Sequence, residues 1–158
     1  MTLTTRTQEI NEHMNILERI KSDHETQRDL MRRIEDTEGD SEKRRELYQQ
    51  FKAEFEAHAA AEEHAFYAPL MKHSESTDQS RHSVAEHHEA MELIEKLDET
   101  DMSSPEWLKT FKKLVHDNDH HMEEEEDDVF ALARQTLGES KLAELLEVFD
   151  DRKSEEMA

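Results

Sequence analysis

The sequence predicts an all-α chain, folded as an antiparallel up-and-down four-helix bundle with a short additional C-terminal helix. Three observations carry this. Glycine and proline occur only twice each in 158 residues, which disfavours tight turns and leaves long helices as the default. Apolar residues recur at steps of three and four in four successive segments, the signature of a helix with one buried face. The first two of those segments also recur in the last two, so the bundle reads as two helix–loop–helix repeats.

The first buried stripe runs through Ile10, Met14, Leu17, Ile20, His24, Gln27, Met31 and Ile34, and "TEGDSE" at residues 37–42 interrupts it. Leu47, Phe51, Phe55, His58, Glu62, Ala65 and Pro69 form the second. Pro69 ends or kinks that helix, because it has no N–H to bond back to Ala65. Polar "HSESTDQS" leads to the third stripe: Val84, His87, Met91 (or Ala90), Ile94 and Leu97. Ser104 is placed to cap the fourth helix with Pro105 at its first position. Its stripe is Leu108, Phe111, Leu114, Asn118, His121, Glu125 and Val129. After "LGES", Leu142, Leu145, Leu146 and Phe149 mark the extra helix, spanning about 139–153. The expected organisation is one domain over 1–158, with the bundle over about 10–137.

Composition narrows the function classes. Twenty basic against 41 acidic residues give a net charge of −21, which repels nucleic acid and anionic membrane. There is no cysteine, so disulfides, thiolate zinc sites and cysteine-held iron–sulfur clusters are excluded. No apolar run approaches the ~20 residues needed to span a bilayer. The opening "MTLTTRTQEINEHM" lacks the basic and apolar blocks of a secretion signal, so a cytoplasmic protein is expected.

The chemistry begins where the stripes are polar. His24, His58, Glu62, His87, His121 and Glu125 occupy positions where core residues belong, and a buried carboxylate is costly unless paired or bound to metal. Their spacing is regular. His58 follows His24 by 34 residues, and His121 follows His87 by 34; each second histidine has a glutamate four residues on. One offset, 87 − 24 = 63, carries all three types from the first half to the second. It also carries Leu30, Met31 and Ile34 onto Leu93, Ile94 and Leu97, Glu63 onto Glu126, and Tyr67 onto Phe130. A histidine and a glutamate at i and i+4 lie one turn apart on one face, roughly 6 Å along the axis. Two such pairs and two single histidines can reach one metal or a pair of metals on the bundle axis, and six ligands in two equivalent sets fit a pair better than a single ion. Four imidazoles and two carboxylates without thiolate suit iron or manganese, and zinc less exclusively. Ferritin-like carboxylate bundles use Glu-x-x-His instead, which none of the eleven histidines here has.

The pattern His24 … His58-x-x-x-Glu62 … His87 … His121-x-x-x-Glu125 resembles hemerythrin-like domains of the HHE cation-binding family, as does "EEHAFYAP" at residues 62–69. The resemblance covers residues 10 to 135. It implies an antiparallel four-helix bundle holding two iron ions, with the histidines as terminal ligands, the carboxylates bridging, and an oxo or hydroxo group completing the bridge; manganese or zinc can substitute. It further implies binding of O2 or a related small ligand for sensing, storage or delivery, with an unidentified protein partner for any read-out. The alternative is a redox enzyme acting on peroxide or nitric oxide, or iron buffering and storage. Oxygen-carrying members have a fifth histidine one turn from the third-helix histidine. Ser83 and Met91 flank His87 at that spacing, so the coordination is more open, unless His88 turns inward or Tyr67 or Tyr48 fills the place. The remaining histidines read as solvent-facing: His13, His73 and His82 near helix ends, His64, His88, His116 and His120 on helix surfaces. Glu63, Glu123, Glu124 and Glu126 read as surface charge, with Glu63 and Glu126 also able to hydrogen-bond a ligand histidine.

Overall fold

The computed structural model describes residues 14–158, and all regular structure among them is helical. Ile10 and His13 lie outside the described residues. Helix α1 spans Ile16–Glu35, and Asn15 caps it by accepting from the backbone N–H groups of Leu17 (2.9 Å) and Glu18 (3.2 Å). Met14, expected on the buried stripe, therefore precedes the helix. Helix α2 spans Glu42–Glu62 with Ser41 as its cap, passes through a π-helical turn at Glu63–Tyr67, and ends with the short α3, Ala68–Met71. Helix α4 covers Thr77–Glu99. Helix α5, Pro105–Glu124, begins as expected with Ser104 accepting from the Glu106 N–H at 3.2 Å, then enters a second π turn at Glu125–Val129.

Helix α6, Phe130–Met157, continues from that turn without a loop but is broken at Gly138, whose φ of 80° and ψ of 163° no helix accommodates. Glycine reaches that left-handed region at no steric cost. The helical run beyond it reaches Met157, four residues past the expected 153. Pro69 does not end its helix outright. The wider π turn before it, closed by the Ala68 N–H bonding to the Glu63 carbonyl, takes the chain two residues beyond Pro69 to Met71.

Contacts between α1 and α2 run in opposite sequence directions: Arg44 reaches Thr37, while His58 reaches Asp23. Buried Arg44 also donates to the Thr37 and Met102 carbonyls (2.6 and 3.1 Å) under the Trp107 ring. Both hairpin turns therefore meet at one end, with Trp107 stacked on Phe111 beside them. Trp107 and Thr110 take inward places, and Leu108, expected there, is only partly buried. On α4 it is Ala90, rather than Met91, that faces in.

The apolar interior falls into two clusters. One gathers Leu30, Ile34, Leu47, Phe51, Ile94 and Phe111 toward the hairpin turns. The other gathers Ile16, Ile20, Phe66, Phe130, Leu142 and Phe149 at the opposite end. Burying each such side chain contributes about 1.5–3 kcal/mol. Between them, in sequence position on α1, α2, α4 and α5, lie the polar residues of the stripes. Among the described residues, no helix is long and apolar enough to cross a membrane.

Candidate metal centre

All six stripe-breaking residues converge on one point of the interior. His24 comes from α1, His58 and Glu62 from α2, His87 from α4, His121 from α5, and Glu125 from the π turn after it. Each is buried, with Glu62 at 0 % and Glu125 at 1 % exposure. The imidazoles pair by repeat: the rings of His24 and His58 are 5.4 Å apart, those of His87 and His121 4.9 Å. The carboxylates span the pairs. Glu62 places Oε2 3.1 Å from His58 Nε2 and Oε1 3.0 Å from His87 Nε2 and 3.9 Å from His121 Nε2. Glu125 places Oε1 3.0 Å from His24 Nε2 and Oε2 3.5 Å from His121 Nε2.

Several of these atoms have no hydrogen bond. His24 Nε2, His121 Nε2, Glu62 Oε1 and Glu125 Oε1 are buried and unpartnered, although neighbours stand at 3.0–3.9 Å. They are close without the alignment of a donor and an acceptor. Lone pairs gathered in this way fit a shared cation, and an orphaned buried polar group is otherwise expensive. Donor atoms of His24, His58, Glu62 and Glu125 lie within 4.8 Å of one another, and so do those of Glu62, His87 and His121. Glu62 belongs to both groups. The residues fit a bound metal cation.

Three of the outward nitrogens are held by further carboxylates, and a fourth carboxylate faces the remaining one. His58 Nδ1 lies 2.8 Å from Asp23 Oδ2, and His121 Nδ1 lies 2.9 Å from Glu86 Oε1. His24 Nδ1 lies 2.8 Å from Glu126 Oε2, which also accepts from Arg28 at 2.7 Å. His87 Nδ1 faces Glu63 Oε2 at 3.8 Å, too long for a hydrogen bond. Such partners fix the tautomer that offers Nε2 inward and raise ligand basicity. The offset of 63 carries Asp23 onto Glu86 and Glu63 onto Glu126, so the supports repeat with the cage. Glu126 is thus a working partner of His24 as well as a surface charge. Asp23 and Glu86 escaped the sequence reading, and their adjacency to His24 and His87 at the same offset is the signal that would have found them.

Electrostatics sharpen the picture. Burial opposes charge on His58, but the Glu62 carboxylate and Asp23 outweigh it and push the imidazole up to about 10. Burial would raise Glu62 too, yet the surrounding imidazoles hold it well below the usual carboxylate range. Glu125 goes the other way, raised by burial and then by the charge on Glu62. Burial also opposes ionisation of Glu126, but His24 and Arg28 bring it down to about 2. Tyr67 is raised well above 10, first by burial and then by Glu125 and Glu62, and remains a protonated donor. Its hydroxyl donates to Glu125 Oε2. Tyr48 lies elsewhere, donating to Asp98 Oδ1 at 2.8 Å. His88 is exposed and does not turn in, as are His64, His82, His116 and His120.

The surroundings are unequal. Around the first pair, Phe149 of α6 sets its ring edge-on to His58 at 5.6 Å, and Lys153 donates to Asp23 (2.9 Å) and Glu54 (2.7 Å). Around the second pair, two cavities of about 270 and 350 Å³ both reach His87, and the smaller also reaches His121; neither is lined by His24 or His58.

Comparison with known proteins agrees with this geometry. The model of the Hemerythrin HHE cation binding domain matches residues 15–133. A crystal structure of a Hemerythrin HHE cation binding domain-containing protein from Mycobacterium kansasii is similar in fold, with a TM-score of 0.82 and 23 % identity over 91 % of this chain and 88 % of that one. No curated protein sequence matches. With three quarters of its length matched and a buried histidine–glutamate cage at the centre of that match, the chain belongs to the Hemerythrin HHE cation-binding domain family.

Proposed function

We propose that the chain is a non-haem di-iron protein that binds O2 or a related small ligand for sensing, storage or delivery. The observation that carries this reading is the span of the two carboxylates. Glu62 and Glu125 each direct one oxygen toward the His24–His58 pair and the other toward the His87–His121 pair. On this reading His24, His58, His87 and His121 with Glu62 and Glu125 would hold the two ions. Iron held there would supply redox chemistry and affinity for a small exogenous ligand. The protein's own residues bury the site, orient three of the four imidazoles through outward carboxylates, and exclude bulk water with the two apolar clusters. The architecture is that of one domain, an up-and-down four-helix bundle in which the helix beyond Gly138 covers one side. We place it in the cytoplasm, with any read-out left to a separate protein partner.

A second reading, redox turnover of peroxide or nitric oxide, is favoured by Tyr67. Its phenol is buried, stays protonated and donates to Glu125, a hydrogen-bond donor set beside the cage.

Metal analysis of the purified protein should return about two irons per chain. One zinc and no iron would overturn the di-iron reading. Anaerobic reduction followed by oxygen then separates the roles. A spectral change reversed by removing oxygen supports the carrier or sensor, whereas irreversible oxidation with consumption of added peroxide supports the enzyme.

A further inference from the structure

Among the described residues outside the cage, one more set of histidines and carboxylates converges. α4 carries His82 four residues before Glu86, and α5 carries His120 four residues before Glu124. This is the spacing of the buried motif, placed on the outer flanks of two neighbouring helices. His82 Nε2 lies 3.5 Å from Glu86 Oε1 and 3.4 Å from Glu124 Oε1, and His120 Nε2 lies 3.5 Å from Glu124 Oε2. These separations exceed the usual 2.7–3.2 Å of an N–H···O bond. The two separations from His82 match the edge of a tetrahedron, about 3.4 Å, when four donors surround a cation at roughly 2.1 Å, while His120 approaches the other oxygen of Glu124. His82, Glu86 and Glu124 each offer one atom within 4.8 Å of the others.

Solvated side chains that meet by chance would be loosely held. Here both carboxylates are mostly shielded, at 18 % and 21 % exposure, and independently anchored. Glu86 Oε1 is held 2.9 Å from His121 Nδ1, and Glu124 Oε1 accepts from Gln79 Nε2 at 3.0 Å. The two imidazoles are exposed and free to close on an ion. Glu86 also joins this cluster to the cage, and the 270 Å³ cavity runs past Glu86, His120 and His121 to His87.

We propose that His82, Glu86 and Glu124, with His120 as fourth donor, form an outer site for a borderline divalent cation such as Fe2+ or Zn2+, from which cations enter the cage. Two imidazoles and two carboxylates select this class over Mg2+ or Ca2+, which prefer all-oxygen shells. The outer site stands on its own geometry; the entry role rests on the dimetal reading of the cage.

The test uses the full chain with its cage already loaded, titrated with Co2+ and followed by visible absorption and equilibrium dialysis. One further equivalent is expected, weakened at least tenfold when His82→Ala and His120→Ala are combined, with cage metal and helical content unchanged. Those substitutions leave every carboxylate in place, so an equivalent that survives them is a cation attracted by the acidic surface and overturns the proposal. Absence of the equivalent in the parent protein overturns it too. For the entry role, chelator-stripped protein is refilled with Fe2+ under anaerobic conditions. The double variant should reach the same final content several-fold more slowly; an equal rate overturns that role. A parent cage that takes up no metal overturns the dimetal reading and the entry role, while the Co2+ titration still decides the outer site.

Discussion

The two halves of the repeat offer the same donors in different settings. Each contributes two imidazoles, one carboxylate to share, and two outer carboxylates facing the rings, of which Glu63 alone stands too far to hydrogen-bond. Around His24 and His58 helix α6 packs close, with Phe149 against His58 and Lys153 bound to Asp23. Around His87 and His121 the protein is open to two cavities, and the Tyr67 phenol reaches across to Glu125. The first half supplies Tyr67 where the second has Phe130, and Gln27 and Asn118 have Ala90 and Phe55 as their counterparts at the same offset. On the proposed dimetal reading, duplication preserves the donors, while the two cavities reach the second pair, so the two ions would differ in exchange and in ligand binding.

Removing a shared carboxylate breaks both halves together and should have the largest effect. Glu62→Ala should lower metal content from two ions per chain to one or none; Glu125→Ala, which faces fewer imidazoles, should cost less. Metal content unchanged in both variants would end the bridging assignment. Stripping the metal should come next. A ligand held at 100 times its Kd stabilises by about 2.7 kcal/mol, so chelation should lower Tm by roughly 5–10 °C in calorimetry. With His58 pushed up to about 10 in the metal-free cage, that ring is protonated at neutral pH, so metal uptake must displace a proton. Uptake should therefore acidify a weakly buffered solution, and affinity should fall as pH is lowered. Uptake without proton release would contradict this.

Phe149→Ala tests the closed half. It empties a fully buried site and should cost about 3–5 kcal/mol, measured by denaturant unfolding. It should also let a chelator strip one of the two ions faster than the other. Equal stripping rates would mean that α6 does not create the difference. The smallest effect is expected from Tyr67→Phe, which deletes one hydroxyl from the open half. Metal content should hold, stability should fall by about 1–2 kcal/mol, and the absorption spectrum of the loaded protein should shift. An unchanged spectrum would detach Tyr67 from the site.

The six cage residues were legible because a histidine or glutamate on an apolar stripe is conspicuous, and because three residue types recurred at one offset. Ser104 and Pro105 announced α5 through local capping chemistry, and Gly138 marked the break before the last helical stretch. Asp23 and Glu86 were hidden because each is one acid among 41, and only their recurrence beside a cage histidine at the offset of 63 sets them apart. Lys153 meets Asp23 across 130 residues of sequence, with no local trace. The open and closed sides were equally invisible, since they arise from how α6 lies over one repeat. Periodicity reads faces, not neighbours.

The π turns have a further consequence. Each begins at or beside a cage glutamate and spends one residue more than an α turn would. An α-helix rotates about 100° per residue, so winding the same residues of Glu63–Tyr67 as regular α-helix would swing the following segment around its axis. His58 and Glu62, upstream, would keep their places, while Leu70 would leave the apolar end cluster and Pro69 would turn in its stead. The same holds for Phe130 and Ala133 beyond the second turn. These two turns act as register adjusters between the cage and the end that seals it: each absorbs one residue, so that the faces on either side stay aligned.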